Sequence, residues 1–342
     1  MKSIKKTLGI VLTAAAVVTA GSIFVSVAGN HYSDKIRIKM AHNQSKDSEI
    51  ADCIAKVAEF AAEDPSMNME IDIYPSGVLG TEQSAVEMVK AGVLDMAKVS
   101  SSMLGQFNDC YSIFSLPYLF TSEGHYYNAM EKSEKVRELF RMNEDEGFLV
   151  IGYYANGSRN IYLKEDIKAD SPAVLKGKKI RSMTSSTSMR MLELMGASPT
   201  PMAASETYTA LQQGVVDGAE NTELALTVDK HGEVAKSYTY TEHQYTPDVY
   251  IISTKTWNRL TEEQQNYLVE CLNRSNENFK NKYRQMMEEA IEEAQGMGMT
   301  IYYDIDKTAF IEAVQPLHEE YKAKGAFYQE LYDDIEQYAG EE

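Results

Sequence analysis

From Thr261 onward the sequence carries an apolar stripe too long for a small domain. Thr261 and Gln264 have the spacing of a capping box, in which each side chain satisfies the other residue's backbone N–H. Leu268, Leu272, Phe279, Tyr283, Met287, Ala290 and Ala294 then recur at spacings of three, four or seven, and Gly296 ends the run. This predicts a helix over Glu262–Gln295, roughly 50 Å long at about 1.5 Å per residue. A helix of that length either joins a coiled coil or runs across two lobes. The stripe breaks down between Asn273 and Asn278, which favours a helix that changes packing partner midway.

A second stretch supports two lobes. In GASPTPMAASETYTALQQGVVDGAEN, Gly196 to Asn221, Pro199 and Pro201 force an extended or turn segment because they fix φ and lack a donor. Ser205 can cap a helix over Glu206–Gln213, and Gly214 suits the left-handed residue after it. Val215 and Val216 restart an apolar run that finishes in polar residues. Gly92-Val93-Leu94-Asp95-Met96-Ala97 repeats the pattern of Gly214-Val215-Val216-Asp217-Gly218-Ala219. Each copy follows a short helical run, as two lobes of similar build would require.

The rest of the chain alternates strand and helix. Lys35–Met40 reads as a strand, Ser48–Ala62 as a helix, Ile71–Tyr74 as a strand, Thr81–Ala91 as a helix and Val93–Val99 as a strand. Ser133–Asn143 is helical, Phe148–Tyr154 is a buried strand, Asp248–Ser253 forms one more strand, and a helix is expected over Leu224–Glu233. This spacing predicts α/β architecture with parallel strands. Phe114–Phe120, broken by Pro117, reads as packing.

The 342 residues are enough for two ordinary domains, and 44% apolar with 25% charged residues is a globular composition. The net charge of −18 argues against nucleic acid but leaves a small anion open, since a few arginines set the potential of a cleft. Lys2, Lys5 and Lys6 precede an uncharged run from Leu8 to Ala28. Residues 1–30 therefore read as a secretory signal or as an uncleaved N-terminal anchor, and either places the body outside the cytoplasm. Cys53, Cys110 and Cys271 are too scattered for a disulfide framework or a zinc site and read as small buried hydrophobes.

Enzyme signatures are missing: there is no nucleophile elbow, HExxH, Walker A or GxGxxG. The six histidines lack ligand spacing and read as surface or capping residues, and Glu288-Glu289 and Glu292-Glu293 as a solvated helix face. Three residues stand out instead. Arg159, Arg181 and Asn221 lie at expected strand ends or the loops beside them, where open α/β sheets bind ligands. A guanidinium offers a planar fork that fits a carboxylate.

With those residues in view, GASPTPMAASETYTALQQGVVDGAEN resembles the signature region of the DctP-type solute-binding proteins of TRAP (tripartite ATP-independent periplasmic) transporters. AHNQSKDS, IDIYPSGVLGTEQSAVEMVKAGVLDMA, FSLPYLF, NGSR and LKGKKIR extend the resemblance over nearly the whole chain after its first segment. It implies a two-lobed periplasmic-binding-protein-like α/β fold, with a long helix spanning both lobes. By the same resemblance the lobes are residues 34–156 with 247–286, and 157–246 with 287–342.

The implied function is capture of a small organic acid and its delivery to a membrane permease, by a monomer without cofactor, metal or catalysis. Arg181, closing LKGxKIR, is implied as the principal carboxylate ligand. Arg159 of NGxR and Asn221 of VDGxEN add hydrogen bonds. Asn43 or its neighbour His42, and Ser100, are implied from the first lobe. Where sialic-acid binders follow LKGxKIR with Val-Pro and a polar residue, this chain has Ser182, Met183 and Thr184. Ala204 stands where an aromatic residue is common, and Ser100 replaces a glutamate. These departures turn the expectation from sialic acid toward a uronate, another sugar acid or a dicarboxylate. Two other readings remain open from sequence: a secreted enzyme acting on a sugar acid, and the ligand-presenting component of a sensor system.

Overall fold

The computed structural model describes residues 35–340, so the signal or anchor segment lies outside the described residues. The strands are β1 (Ile36–Ala41), β2 (Met69–Tyr74), β3 (Met96–Ser100), β4 (Phe148–Tyr154), β5 (Ser158–Leu163), β6 (Lys179–Ser182), β7 (Ser198–Pro201), β8 (Gly218–Asn221), β9 (Ser237–Tyr245), β10 (Asp248–Ser253) and β11 (Thr300–Tyr302). They form two sheets, ordered β2-β1-β3-β10-β4 and β11-β9-β5-β8-β6-β7. The sheets are mixed rather than wholly parallel. β10 runs antiparallel to β3 and β4, and β5 antiparallel to β8 and β9.

This departure from the parallel pattern creates the joint between the lobes. β4 leads into β5 through residues 155–157, and β9 into β10 through residues 246–247. The two strand pairs lie side by side: Tyr154 faces Asp248 in one sheet and Ser158 faces Tyr245 in the other. Alternating periodicity reports a strand, but it does not report which strand returns beside it.

The long helix spans Glu262–Gly296, and its Thr261–Gln264 capping box forms as the spacing predicts. Its first half packs on the helix Glu49–Ala61 and on β4, its second half on Leu224–Thr227 and β11. The broken stripe has a cause at the crossing. Buried Ser275 donates its hydroxyl to the Cys53 carbonyl at 2.8 Å. Buried Asn276 accepts the Ala155 N–H, also at 2.8 Å, just where the chain leaves β4. Asn276 interrupts the stripe because the Ala155 N–H at the joint needs a partner, while Ser275 ties the long helix to the helix Glu49–Ala61.

Gly157, in the same joint, permits close approach. A Cβ there would lie 1.8 Å from the Tyr283 hydroxyl oxygen on the long helix. Tyr283 is buried and packs on Phe279, ring centroids 5.2 Å apart, so it has little room to retreat. Gly157→Ala is expected to destabilise the fold by about 3 kcal/mol, the upper part of the usual overpacking range, measured as a lower urea midpoint at unchanged slope.

The repeated Gly-Val-x-Asp pattern builds one joint twice. Gly92 and Gly214 both end their helices in the left-handed conformation, at φ 71° and 72°. Asp95 accepts the Lys39 N–H of β1 at 3.0 Å, and Asp217 accepts the Lys179 N–H of β6 at 2.7 Å. In each lobe the aspartate thus pins the strand next to its own. The run after Gly214 is shorter as a strand than its sequence suggests: Val216 is buried, but Val215 is exposed and β8 begins only at Gly218. The expected helix over Leu224–Glu233 is also two pieces, Leu224–Thr227 and a 3-10 turn at His231–Glu233.

The three cysteines are buried and free, as read. The histidines correct their reading. His42, His125, His231, His243 and His318 are all buried, and His31 lies outside the described residues. Several make internal contacts: His125 pairs with the Ile335 carbonyl, His231 with the Tyr162 hydroxyl and His318 with the Pro117 carbonyl. The last helix, Ala326–Glu336, packs on Glu134–Arg141 and Glu123–Lys132, so the chain's end returns toward the side of the first sheet.

Candidate functional site

The carboxyl ends of the parallel strands in each sheet meet across a cleft. In the second sheet Arg181 sits on β6 with Ala219 of β8 and Thr200 of β7 as its register partners. Asn221 ends β8 opposite Asn160, and Arg159 stands near the start of antiparallel β5. That topology brings Arg159, Arg181 and Asn221 to one edge. On the other side, His42 and Asn43 follow β1 and Ser100 ends β3. The walls touch: Ser100 Oγ lies 3.8 Å from Met183 Sδ, and Gln106 Nε2 donates to the Thr184 carbonyl and, at 3.3 Å, to its hydroxyl. Ala204 is exposed in a 3-10 turn two residues beyond Met202.

The two arginines differ. Arg159 is buried and held by three hydrogen bonds: Nε donates to Glu220 Oε2 at 2.5 Å, Nη1 to Asn221 Oδ1 at 3.0 Å and Nη2 to the Glu220 carbonyl at 2.8 Å. Burial disfavours its charge, but the Glu220 carboxylate outweighs that and holds its pKa above the ordinary value. Glu220 is fully buried, and burial alone would raise its pKa. Arg159, aided by His243 at 3.7 Å, instead pulls it down to about 2. Asn221 Oδ1 is occupied by Arg159 and by the Thr222 N–H at 2.9 Å, which turns its amide donors away from those partners.

Arg181 is also buried, 5% exposed, yet its only hydrogen bond among the described residues runs from Nη2 to the Met202 carbonyl at 2.9 Å. Its Nε has no partner among the described residues. Burial lowers its pKa, and Glu220 only partly offsets that. A buried guanidinium with an unused edge is a costly arrangement unless an anion completes it.

The first-lobe wall carries groups that local sequence did not mark. Lys98, 2% exposed, is paired with Asp248 of β10 and lies 4.9 Å from the centroid of the Tyr154 ring. Glu82 opens the helix Glu82–Ala91 after the Thr81 cap. Its Oε1 accepts from Asn43 Nδ2 and from the Ser100 N–H, both at 3.1 Å. Burial, and then the charge of Asp248, push the Glu82 pKa up to about 7. His42 is pushed down to about 4 by burial and by Lys98, so it is neutral at pH 7. Glu82 lacked any signal beyond a good first-turn helix residue. Lys98 alternates within β3, and Asp248 merely begins β10.

Among the described residues no cluster of histidine, cysteine and carboxylate side chains could hold a metal, and no helix is long and apolar enough to cross a membrane.

Known proteins share this architecture. The sequence profile of "Bacterial extracellular solute-binding protein, family 7" (DctP) matches residues 40–324. The uncharacterized protein YiiZ of Salmonella typhimurium is 37% identical over 308 residues, covering 90% of this chain and 92% of its own. A TRAP periplasmic solute-binding protein of Anaerococcus prevotii, solved with bound α/β-D-glucuronate, is 35% identical with a TM-score of 0.85. The match covers 90% of this chain and 99% of that one. Another from Sulfitobacter sp. NAS-14.1, solved with β-D-galacturonate, is 28% identical with a TM-score of 0.82, over 88% and 99% of the two chains. With two mixed sheets, a helix crossing both and a cleft between strand ends, the chain belongs to family 7 of the bacterial extracellular solute-binding proteins, the DctP family.

Proposed function

We propose that this solute-binding protein captures a hexuronate or a related sugar acid outside the cytoplasm and delivers it to a TRAP permease. The observation that carries the reading is the unused edge of buried Arg181, which a ligand carboxylate would complete with two parallel hydrogen bonds. Asn221 would add an amide donor, while Arg159, held by Glu220, would position that amide rather than bind the acid directly. His42, Asn43, Ser100 and Thr184 would line the opposite wall and mouth, and Ala204 would leave space where a bulkier side chain could intrude. Closure about residues 155–157 and 246–247 would exclude water and strengthen each polar contact. The solved relatives with bound glucuronate and galacturonate support a uronate ahead of other acids. In this reading residues 34–156 with 247–286 form one lobe and 157–246 with 287–342 the other, with the last helix, Ala326–Glu336, reaching back to pack on the first lobe, and the first residues secrete or anchor the protein.

Titration calorimetry against D-glucuronate, D-galacturonate, D-gluconate, D-glucarate and succinate is the direct test. A uronate should bind at least about tenfold more tightly than succinate, a difference of 1.4 kcal/mol. Binding of succinate alone, or turnover of a bound acid, would overturn the proposal.

A further inference from the structure

Arg181 would take the carboxylate end of the ligand, and the other end needs a partner of its own. One group faces that space. Glu82 lines the narrow first-lobe recess with His42, Asn43, Gly80 and Lys98, and its charge is felt by Arg181 across the cleft. Its hydrogen bonds to Asn43 and the Ser100 N–H both end on Oε1. Oε2 takes no hydrogen bond from any described residue. The carboxyl group is therefore fixed in orientation by one oxygen and presents the other.

The charged surroundings decide what that oxygen accepts. Asp248 is matched by Lys98, and His42 is neutral at pH 7, so the pair and the imidazole leave little net charge on this wall. Among the described residues lining this recess, Glu82 then carries the charge without an ion-pair partner of its own, within reach of the field of Arg181. A ligand bridging the two would present an anion to Arg181 and hydrogen-bond donors, not a second anion, to Glu82. A carboxylate accepts from sugar hydroxyls and repels another carboxylate.

We propose that Glu82 is a specificity-determining residue, which accepts hydrogen bonds from ligand hydroxyls and rejects acids carrying a second carboxylate at that end. The proposal rests on the sugar-acid reading and names its substrate class: polyhydroxylated monocarboxylates, with dicarboxylates excluded. The raised pKa of Glu82 fits a carboxyl group desolvated beside Asp248, and at pH 8 it is mostly ionised.

The probe is a matched pair, D-gluconate and D-glucarate, which differ only in whether the far carbon is an alcohol or a carboxylate, measured beside D-glucuronate at pH 8. In wild type the better of the two monocarboxylates should bind at least tenfold more tightly than D-glucarate. Glu82→Gln keeps an acceptor for Asn43 and for the Ser100 N–H but removes the charge. It should lose about tenfold in affinity for that monocarboxylate and bring the ratio to D-glucarate within threefold, with an unchanged melting temperature. A merely structural Glu82 would weaken all ligands alike and leave the ratio where it was. Equal binding of D-glucarate by wild type, an unchanged ratio in Glu82→Gln, or D-glucarate still failing to bind that variant would each overturn the role of Glu82. Wild type that binds none of the three acids would instead overturn the sugar-acid reading, and this inference with it.

Discussion

Arg181→Ala should lose at least a hundredfold in affinity for D-glucuronate by titration calorimetry, while the protein melts no lower than wild type. The guanidinium is 5% exposed and has one hydrogen bond, to the Met202 carbonyl, with Nε unpartnered. In the free protein its charge is therefore poorly compensated, and burial already lowers its pKa. Removing it relieves that desolvation. In the complex it would meet a carboxylate in a closed cleft, where truncating one partner of a buried charge pair costs about 2–5 kcal/mol. The middle of that range is more than a hundredfold. Arg181→Lys keeps the charge but not the fork, and an intermediate loss of about tenfold is expected. Unchanged affinity in Arg181→Ala would remove Arg181 from the site.

The second large effect falls on stability. Glu220→Ala leaves Arg159 buried without its counter-charge, and breaking a buried pair from one side costs about 3–5 kcal/mol. Glu220 is fully buried and accepts the Nε bond of Arg159, with His243 3.7 Å away, so no water can replace it cheaply. Urea denaturation at pH 7 measures the loss. The same carboxylate predicts an acid limb. Its pKa is held at about 2 when folded, below the ordinary 4.5 that applies unfolded. Its contribution is fully present above about pH 4.5 and is lost as pH falls from there toward 2. Glu220→Gln should flatten this part of the stability profile, and a variant that keeps the wild-type acid limb would assign the limb to other carboxylates.

Much of the fold was legible because its signals are local. The capping box at Thr261, the left-handed Gly92 and Gly214 and the uninterrupted β4 each depend on neighbours a few residues away. The break at Asn273–Asn278 was legible as an interruption but not as a cause, since the Ala155 and Cys53 groups that use it are more than a hundred residues distant. The histidines were misread for the same reason. A lone imidazole gives no hint that a remote carbonyl will bury it.

At the cleft the division is sharper. Sequence alone determined which residues end strands, and the family resemblance drew attention to Arg159, Arg181 and Asn221. Only the tertiary structure decided that these two arginines have different partners. Glu220 adjoins Asn221 in the chain, but it meets Arg159 only because β5 runs antiparallel to β8. Glu82 reaches the Ser100 N–H because its helix packs on β3, and it feels the charge of Arg181 only because two sheets close on one another. Backbone preferences are set by adjacent residues, whereas the energy of a charge is set by whatever lies within a few ångströms of it, and that is decided by the fold.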